Sequence, residues 1–336
     1  MTNLWPDDDR PWRGSFVHNQ AEGLRALGVH VDVMPIRGYA SDLEYLRAVP
    51  RVLALNRAPV HDIVHAHVGQ SALVARLQVR APLVVSYHGS DLLGKPTASG
   101  PPTLRSRVEA KLYRQLARVA AATITMSPAM TARLPAASRA HNVVIPTGVD
   151  VDRFAPGDKA ALRESLGWDP DEPVVLWVGS PAVALKNHGL AEATMQRLDG
   201  RARLRVAATV HPRDVPSWLG AADVLLLTSR SEGSPTVVKE AMACELPVVS
   251  TDVGDVAERI DGLAGCAIAS ADPADLAAKV RAALDHGPVP EARVRIRATH
   301  SESITAGRIL ELYESILSAR GERERGGPGG PAGPAG

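Results

Sequence analysis

Short runs of apolar, mostly β-branched residues alternate along this chain with longer segments in which apolar positions recur at helical spacing. Continuous apolar runs are typical of strands buried on both faces of a parallel sheet, and the periodic segments are typical of amphipathic helices. The alternation predicts an α/β protein with two doubly wound sheets. The predicted strands are residues 29–34, 63–67, 83–87, 123–126 and 143–145, followed by 174–178, 204–207, 224–227 and 248–250.

Turn-forming residues divide the chain near its middle. Residues 146–157 are rich in Pro, Gly and Asp, a composition that interrupts regular structure. We therefore expect one Rossmann-like domain over residues 1–150 and a second over 151–300. A helix over 301–320 (Glu302 to Ala319 at its core) is expected to pack back on the first domain. Residues 321–336 are mostly Gly, Pro and Ala and are predicted to form a disordered tail.

Composition excludes several classes of protein. The chain has 336 residues, 45% hydrophobic and 22% charged, which is ordinary for a soluble globular protein. A net charge of +1 gives no general attraction to nucleic acid, so no nucleic-acid partner is expected. Two cysteines, Cys244 and Cys266, are too few for a disulfide framework. The polar start lacks the apolar core of a signal peptide, so we expect a cytoplasmic protein.

One segment approaches a phosphate-binding P-loop. Residues 89–95 read Gly-Ser-Asp-Leu-Leu-Gly-Lys, but Pro96 stands where the loop requires a Ser or Thr that binds magnesium. Proline also lacks the backbone N–H that would reach the phosphate. The sequence contains no G-x-G-x-x-G. It therefore argues against an NTPase and against a dinucleotide-dependent enzyme.

Residues that could bind a metal are sparse. His65 and His67 would share one face of a strand, with no third ligand nearby in sequence, and are expected to be strand-end histidines. Pairs of the form D-x-D lie in polar or turn-forming segments, where solvated charges are expected: Asp7/Asp9, Asp150/Asp152 and Asp169/Asp171. We predict no metal site and no cofactor.

The chemistry concentrates in residues 228–249, which read Thr-Ser-Arg-Ser-Glu-Gly-Ser-Pro-Thr-Val-Val-Lys-Glu-Ala-Met-Ala-Cys-Glu-Leu-Pro-Val-Val. A buried strand ends before this segment, and Pro235 begins a predicted helix. Glu232 thus precedes a helix N-terminus, whose free N–H groups can bind hydroxyls or phosphate. Gly233 allows a close approach of the backbone. Glu240 lies on the helix and can point back into a cleft.

Glu232 and Glu240 are separated by seven residues, and their context resembles the E-x7-E motif of glycosyltransferase family 4. The flanking S-x-x-E-G-x-P and E-A-M-A-C-x-L-P-V-V make the match specific. Together the resemblance spans residues 12 to 320. Four further segments fall in the family's order: Gly14–Gln20, Ser86–Asp91, Ile145–Asp150 with Arg153-Phe154, and Trp177–Ser180 with Lys186-Asn187.

The resemblance implies a GT-B fold, in which an acceptor-side domain and a nucleotide-sugar-binding domain face each other across a cleft. It implies a retaining, metal-independent hexosyltransferase that uses a nucleotide sugar, UDP in the first instance. The implied catalytic residues are Glu232 at the donor sugar, His88 at the reacting centre and Lys186 at the departing phosphate. Donor-binding roles are implied for Gly14, Ser180, Gly233, Ser234, Pro235, Thr236, Val237, Glu240 (at the ribose) and His211.

The sequence departs from the family pattern at two places. Ser180 stands where the family has an Arg, so a positive charge is missing from the phosphate site, and Arg230 or Arg213 is a candidate to replace it. The family also opens with an apolar strand, whereas only residues 2–5 precede the Gly14 loop. We hypothesise a start upstream of Met1 or an abbreviated first strand.

A basic stripe is predicted on a helix over residues 103–121. Arg107, Lys111, Arg114 and Arg118 recur every three or four residues, beside an apolar face of Leu104, Val108, Leu112, Leu116 and Val119. One interpretation is a surface helix packed on the sheet. The other is a helix that docks on anionic lipid at the inner face of the membrane and delivers a lipid-linked acceptor.

The acceptor is a carbohydrate, a lipid-linked molecule or a small molecule, and the family resemblance favours polysaccharide or glycoconjugate biosynthesis. Glycosylation of a small secondary metabolite is the next alternative. A GT-B sugar-nucleotide epimerase and a degenerate sugar-nucleotide-binding protein also stay open.

Overall fold

The computed structural model describes residues 1–7, 10, 13–57, 61–94 and 102–325, which form two lobes, each built on a parallel β-sheet. The first sheet has the order β1-β2-β3-β4 and the second the order β6-β5-β7-β8-β9. The predicted α/β fold with two parallel sheets is confirmed. The strands are β1 Val64–His67, β2 Leu83–Ser86, β3 Ala122–Thr125, β4 Asn142–Val144, β5 Val174–Val178, β6 Arg203–Ala207, β7 Val224–Leu227, β8 Val248–Thr251 and β9 Ala267–Ala269.

Helices cover both sheets. They are α1 Ser15–Ala26, α2 Leu43–Ala54, α3 Gly69–Ala75, α4 Ser90–Leu93, α5 Leu104–Leu116, α6 Pro128–Thr131, α7 Lys159–Leu166, α8 His188–Gln196, α9 Val215–Ala221, α10 Thr236–Ala243, α11 Val256–Ile260, α12 Pro273–His286, α13 Pro290–His300 and α14 Glu302–Arg325. The described part of the chain also has 3₁₀ turns at Ala136–His141, Ala184–Lys186 and Pro212–Asp214.

The central strands are buried on both faces because both sheets are covered. Strands β2, β3, β7 and β8 are buried along their whole length. In the second lobe, alternate residues of one strand enter two different cores: Leu225 and Leu227 pack on one face, Val224 and Leu226 on the other. This two-sided burial explains why the strands read as continuous apolar runs.

The order of the second sheet creates a binding crevice. Strand β6 lies on one side of β5 and strand β7 on the other, so the connections leave the carboxyl ends of β5 and β7 in opposite directions. Ligands of open α/β sheets bind at such a switch point. The loops that follow β5 and β7 are therefore the place to look for a site.

The carboxyl-terminal helix crosses from the second lobe to the first. Helix α14 packs against α1, and Asn19 donates a hydrogen bond of 2.6 Å to Glu302 Oε1. Further along, the Tyr313 hydroxyl lies 2.5 Å from His65 Nδ1. The helix continues to Arg325, beyond its predicted end, so residues 321–325 are helical and the predicted tail is wrong there. Residues 326–336 lie outside the described residues.

One predicted strand is wrong. Residues 29–34 form no strand in the described structure, and they line a cavity of about 470 Å³ whose opposite wall includes residues 63–65 of the first sheet. Thr2 forms parallel bridges with both Pro35 and His67, so only the first residues of the chain lie between these segments. The buried Met1 amino group donates to His65 O at 2.7 Å, and burial lowers its pKa to about 5. An apolar run forms a strand only where a neighbouring strand completes its backbone hydrogen bonds. Because no described strand lies beside residues 29–34, they do not form one.

The other eight predicted strands are confirmed to within one residue at each end. Strand β9 was not predicted, because its three residues are too short to produce a pattern.

Candidate active site

An acidic side chain and a basic one meet at the switch point of the second sheet. Glu232 lies in the loop between β7 and α10, and Lys186 ends the 3₁₀ turn that follows β5. Lys186 Nζ donates to Glu232 Oε1 at 2.8 Å, and Ser229 Oγ donates to the same oxygen at 2.8 Å. Both charged side chains are mostly buried, with 28% and 18% of their surfaces exposed. Two of the predicted catalytic residues are thus in direct contact.

Buried hydrogen bonds hold the two loops together. The Thr228 hydroxyl donates to Lys186 O or Asn187 O, at 3.0 and 3.1 Å, and accepts a bond of 3.0 Å from Trp177 Nε1. The Arg230 N–H donates to Leu185 O at 2.8 Å. Because these groups are fixed, the Lys186–Glu232 pair has little freedom to separate.

The first lobe supplies His88 from the end of β2. Its ring lies between Phe16, with centroids 4.9 Å apart, and His67, whose Nδ1 is 3.1 Å from His88 Nε2. Burial lowers the pKa of His88 to about 4, so its imidazole is neutral at physiological pH.

Asp91 fixes the backbone of the His88 loop. Its carboxylate accepts hydrogen bonds from the N–H groups of His88, Gly89 and Gly69, at 3.0 to 3.3 Å. Burial raises the pKa of Asp91 to about 6, while the backbone donors oppose this rise. The H-G-x-D signal in the sequence therefore corresponds to a buried carboxylate that orders the end of β2.

The lobes touch at glycines. A Cβ atom on Gly233 would lie 3.3 Å from His88 O, 3.4 Å from Gly89 Cα and 3.1 Å from Met130 Sδ. A Cβ atom on Gly254 would lie 2.9 Å from Gly233 O, and Gly254 has φ +62°, which side chains rarely adopt. The absence of side chains lets the His88 loop lie against the loop that carries Glu232.

Glu240 lies on α10, the helix that follows the Glu232 loop, and its side chain is half-buried. Burial raises its pKa to about 7, and the charges of Arg153 and Lys239 oppose that rise. Arg153 also donates to Pro212 O, at the turn that follows β6.

The start of α10 carries the remaining predicted donor contacts of the second lobe. Pro235 occupies the cap position without a side-chain cap, so the amides of Thr236 and Val237 stand at an uncapped helix N-terminus. Such an end favours negative charge.

A polar network beneath this loop was missed by the sequence analysis. The Ser234 hydroxyl donates to Asp255 Oδ2 at 2.9 Å and accepts a bond of 3.0 Å from Lys239 Nζ. Arg259 Nε lies 3.1 Å from the same Asp255 oxygen. Lys239 is fully buried, and burial lowers its pKa to about 8. The only sequence signal was a lysine between apolar helix positions.

The predicted phosphate side of the site has Ser180 where the family resemblance leads one to expect an Arg. Ser180 follows β5, and the side chain of Lys186 lies across Gly179, whose added Cβ would come 3.3 Å from Lys186 Cγ. Arg230 lies next to this turn, with Nη2 3.3 Å from Asn187 Oδ1. Arg213 is highly exposed and lies 3.6 Å from its neighbour Asp214. Of the two candidates to replace the missing Arg, Arg230 is the one beside Lys186.

His211 has a structural contact in the turn after β6. Its Nδ1 accepts a hydrogen bond of 3.2 Å from the Arg213 N–H and caps the Pro212–Asp214 turn.

Gly14 opens α1 in the left-handed conformation, with φ +65°. An added Cβ would lie 2.4 Å from the backbone of Leu4, so no other residue fits without movement. Phe16, in the first turn of α1, packs against His88, so the uncapped start of this helix lies beside the His88 ring.

Among the described residues, no group of three or more His, Cys, Asp and Glu side chains could hold a metal ion. His65 Nε2 instead lies 2.8 Å from Ser86 Oγ. Lys95 and Pro96 of the P-loop-like segment lie outside the described residues. No helix within the described ranges is long and apolar enough to span a bilayer.

Two Rossmann-like lobes that meet at a cleft form the GT-B fold, and an acidic and a basic side chain lie at the switch point of the second lobe. A family model described as Glycosyltransferase Family 4 matches residues 14–153, and one described as Glycosyl transferases group 1 matches residues 171–286.

Three known proteins illustrate the similarity. D-inositol 3-phosphate glycosyltransferase 2 of Catenulispora acidiphila is 31% identical over 309 residues, which cover 76% of this chain and 71% of the relative. The putative teichuronic acid biosynthesis glycosyltransferase TuaC of Bacillus subtilis is 25% identical, covering 76% and 81%. The crystal structure of Anabaena Alr3699/HepE in complex with UDP and glucose has a TM-score of 0.64 and 20% identity, covering 82% and 83%. This chain belongs to glycosyltransferase family 4.

Proposed function

We propose that this glycosyltransferase moves a hexose or an N-acetylhexosamine from a UDP-sugar to an acceptor hydroxyl, with retention of the anomeric configuration and without a metal ion. The observation that carries the proposal is the Lys186–Glu232 pair at the switch point of the second sheet, next to His88 of the first lobe. The loops that carry Lys186 and Glu232 are held by buried hydrogen bonds. Such fixed groups can stabilise charge that develops during a reaction.

Each side chain has a task that its chemistry suits. In the transfer, the bond between the sugar C1 and the β-phosphate oxygen breaks, and the oxygen keeps the electron pair. The acceptor hydroxyl oxygen forms the new bond to C1 on the same face, and its proton passes to the departing phosphate oxygen, so that UDP leaves. Lys186 gives one N–H to Glu232 and keeps donors for the departing phosphate. Glu232 binds sugar hydroxyls and stabilises the positive charge at C1. The neutral His88 ring can donate or accept a hydrogen bond with the sugar, and because it is uncharged it does not repel the positive charge at C1.

Relatives support the choice of donor and pathway. Alr3699/HepE was crystallised with UDP and glucose, and the names of two relatives refer to D-inositol 3-phosphate and to teichuronic acid biosynthesis. We assign the enzyme to polysaccharide or glycoconjugate biosynthesis in the cytoplasm, with glycosylation of a small metabolite as the second choice.

The test supplies the enzyme with an acceptor and with UDP-glucose or UDP-N-acetylglucosamine. Mass spectrometry detects transfer of the sugar, and NMR determines the anomeric configuration of the product. We expect α-linked product, unchanged rates in EDTA, and a loss of about 100-fold or more in kcat for Glu232→Gln and Lys186→Met. Lys279→Met is the control, because Lys279 pairs with Asp275 on α12. A β-linked product would contradict retention.

The same assay separates the alternatives. Conversion of the donor without any acceptor would identify an epimerase. UDP binding without any turnover, unaffected by Glu232→Gln, would identify a degenerate binding protein.

The proposal also includes contact with an anionic membrane through α5. Leu104, Val108 and Leu112 are 78, 59 and 49% exposed and form one stripe. Ser106 and Ala110 are buried on the opposite side of the helix. Leu116 is also buried, so α5 packs on the first lobe through one face and leaves the other face exposed. An exposed apolar stripe flanked by Arg107 and Lys111 suits insertion among anionic headgroups.

Sedimentation with vesicles tests this contact. We expect binding to phosphatidylglycerol vesicles and weak binding to phosphatidylcholine, with about a tenfold loss for Val108→Asp/Leu112→Asp. Val294→Asp is the control, because Val294 is 69% exposed on α13 of the second lobe. Equal sedimentation with both lipids would refute the contact.

A further inference from the structure

A fully buried lysine lies just beyond the Glu232 loop, the segment of residues 228–235 that joins β7 to α10. Lys239 is 1% exposed, and it lies on α10 between the buried apolar residues Val238 and Met242. An ammonium group is unfavourable in such a place unless other polar groups replace the water that it loses. The partners of Lys239 therefore indicate what a lysine does at this position.

The Lys239 ammonium is joined to a buried carboxylate through one hydroxyl of the Glu232 loop. Lys239 Nζ donates to Ser234 Oγ at 3.0 Å, and the Ser234 hydroxyl donates to Asp255 Oδ2 at 2.9 Å. Asp255 is 5% exposed, and its Oδ2 also accepts a bond of 3.1 Å from Arg259 Nε. An ammonium can only donate and a carboxylate can only accept, so the hydroxyl between them has one orientation. The network thus fixes Ser234.

The loop that follows β8 holds the Glu232 loop at further points. Thr251 Oγ1 donates to Ser229 O at 2.7 Å, near the start of the Glu232 loop. In the middle, Gly254 approaches so closely that an added Cβ would lie 2.9 Å from Gly233 O. Together with the bond to Ser234, these contacts bind the Glu232 loop to its neighbour at both ends and in the middle.

Buried charges of this kind contribute more to geometry than to stability. The attraction between them is offset by the water that each group loses, and apolar replacements of a buried ion pair are often as stable. A polar network with all its members satisfied, by contrast, holds its groups rigidly. The Lys239–Ser234–Asp255 network therefore suits a loop whose backbone must keep its position when a ligand binds.

The part of the backbone that the network fixes carries the carboxylate assigned to the sugar. Ser234 lies two residues after Glu232, with only Gly233 between them. Lys186 and Ser229 hold the Glu232 carboxylate itself, whereas the bond to Ser234 holds the main chain beside it. Loss of the network would leave the Lys186–Glu232 pair in place and release the backbone on its other side.

We infer that Lys239 and Asp255 are positioning residues, which act through Ser234 to hold the Glu232 loop where it receives the sugar of the donor. Neither side chain touches the substrate. The inference rests on the proposed function, since it concerns the donor of the same transfer. Because UDP lacks the sugar, loss of the network should weaken the binding of UDP-glucose and leave the binding of UDP nearly unchanged.

Calorimetry on the full chain, with UDP-glucose and UDP as ligands, tests the inference. We expect the Kd of UDP-glucose to rise about tenfold in Lys239→Met and in Asp255→Asn, and the Kd of UDP to stay within about twofold. Asp223→Asn is the matched control. Asp223 pairs with the buried Arg163 at 2.6 Å, and it precedes β7, at the edge of the sheet opposite the active site. This control should lower the Tm without changing the ratio of the two Kd values.

The double variant Lys239→Met/Asp255→Asn separates positioning from support of the fold. Asp255→Asn alone leaves the buried Lys239 charge without the carboxylate of its network, so its Tm should fall. Removing both charges should restore much of the Tm, while the tenfold loss for UDP-glucose persists. If UDP-glucose binding recovers with the Tm, or if UDP weakens as much as UDP-glucose, the inference is wrong and the proposed function stands. If UDP-glucose does not bind the unaltered chain, the proposed function fails, and this inference with it.

Discussion

Glu240 combines partial burial with a proposed role at the ribose, which needs hydrogen-bond acceptors. A carboxylate can accept hydrogen bonds from both ribose hydroxyls, whereas a protonated carboxyl spends one oxygen as a donor. Because burial raises its pKa to about 7, a large share of the carboxyl groups are protonated near neutral pH before a ligand arrives. Ribose binding to the ionised form must therefore compete with protonation.

We predict that UDP-glucose binds more tightly as the pH rises through 7. Below pH 7, Glu240 must release a proton before the ribose binds. The Kd should therefore increase about tenfold for each unit by which the pH falls below 7. The pyrophosphate diester of UDP-glucose does not titrate in this range, which isolates the protein group. Calorimetry from pH 6 to 8 measures the effect.

Glu240→Gln supplies the control for this profile. It should bind more weakly at high pH and lose the tenfold change per pH unit. A flat profile for the unaltered protein would contradict the role assigned to Glu240.

At the scale of elements, the sequence predicted what local pattern determines. Strand β7 and helix α10 follow from an apolar run, a Gly-Ser-Pro turn and a helical period, and these place Glu232 and Glu240 correctly relative to the sheet. Residues 29–34 carry an equally good strand pattern but lack the neighbouring strand that would pair with them. Pattern alone does not reveal whether a partner is present.

Helix α5 shows a second limit of pattern. Leu104, Val108 and Leu112 face solvent, whereas the face of Ser106, Ala110, Tyr113 and Leu116 packs on the lobe. Tyr113 fits there because α3 has a glycine opposite it: a Cβ on Gly69 would lie 2.3 Å from the Tyr113 ring. Similarly, the Lys239–Ser234–Asp255 network joins residues from separate elements with no fixed spacing. Close approach and long-range pairing are properties of the folded chain.

At the scale of the molecule, helix α14 ties the second lobe to a stack of histidines in the first. Tyr313 contacts His65, whose ring stacks on His67, and His67 stacks on His88 at the cleft. Burial lowers the pKa values of all three histidines: His65 to about 3, His88 to about 4, and His67 well below its ordinary value. Charging any of them would place a cation in a buried stack of rings.

We predict that the free energy of unfolding falls steeply between pH 7 and pH 5. In that range the unfolded chain binds protons at these histidines and the folded chain does not, at a cost of about 2 kcal/mol for each ring. The Met1 amino group, with a pKa of about 5, adds to the fall, whereas Glu240 opposes it. Urea unfolding at several pH values measures the slope.

Removing one titrating ring should make the slope shallower. We expect this for His67→Gln, whatever its effect on stability at pH 7. His30→Gln should leave the slope unchanged, because the His30 side chain is 90% exposed. An identical slope for His67→Gln would show that the stack does not control acid sensitivity.

The buried amino group of Met1 has a practical consequence for anyone who purifies the enzyme. An affinity tag fused ahead of this residue must begin its path inside the 470 Å³ cavity, between residues 29–34 and β1. A polar or bulky fused segment there would force apart α1 and the sheet. An extended apolar segment would instead lie between residues 29–34 and β1 and could pair with both. The label is better attached after the last turn of α14, or preceded by a short strand-forming spacer.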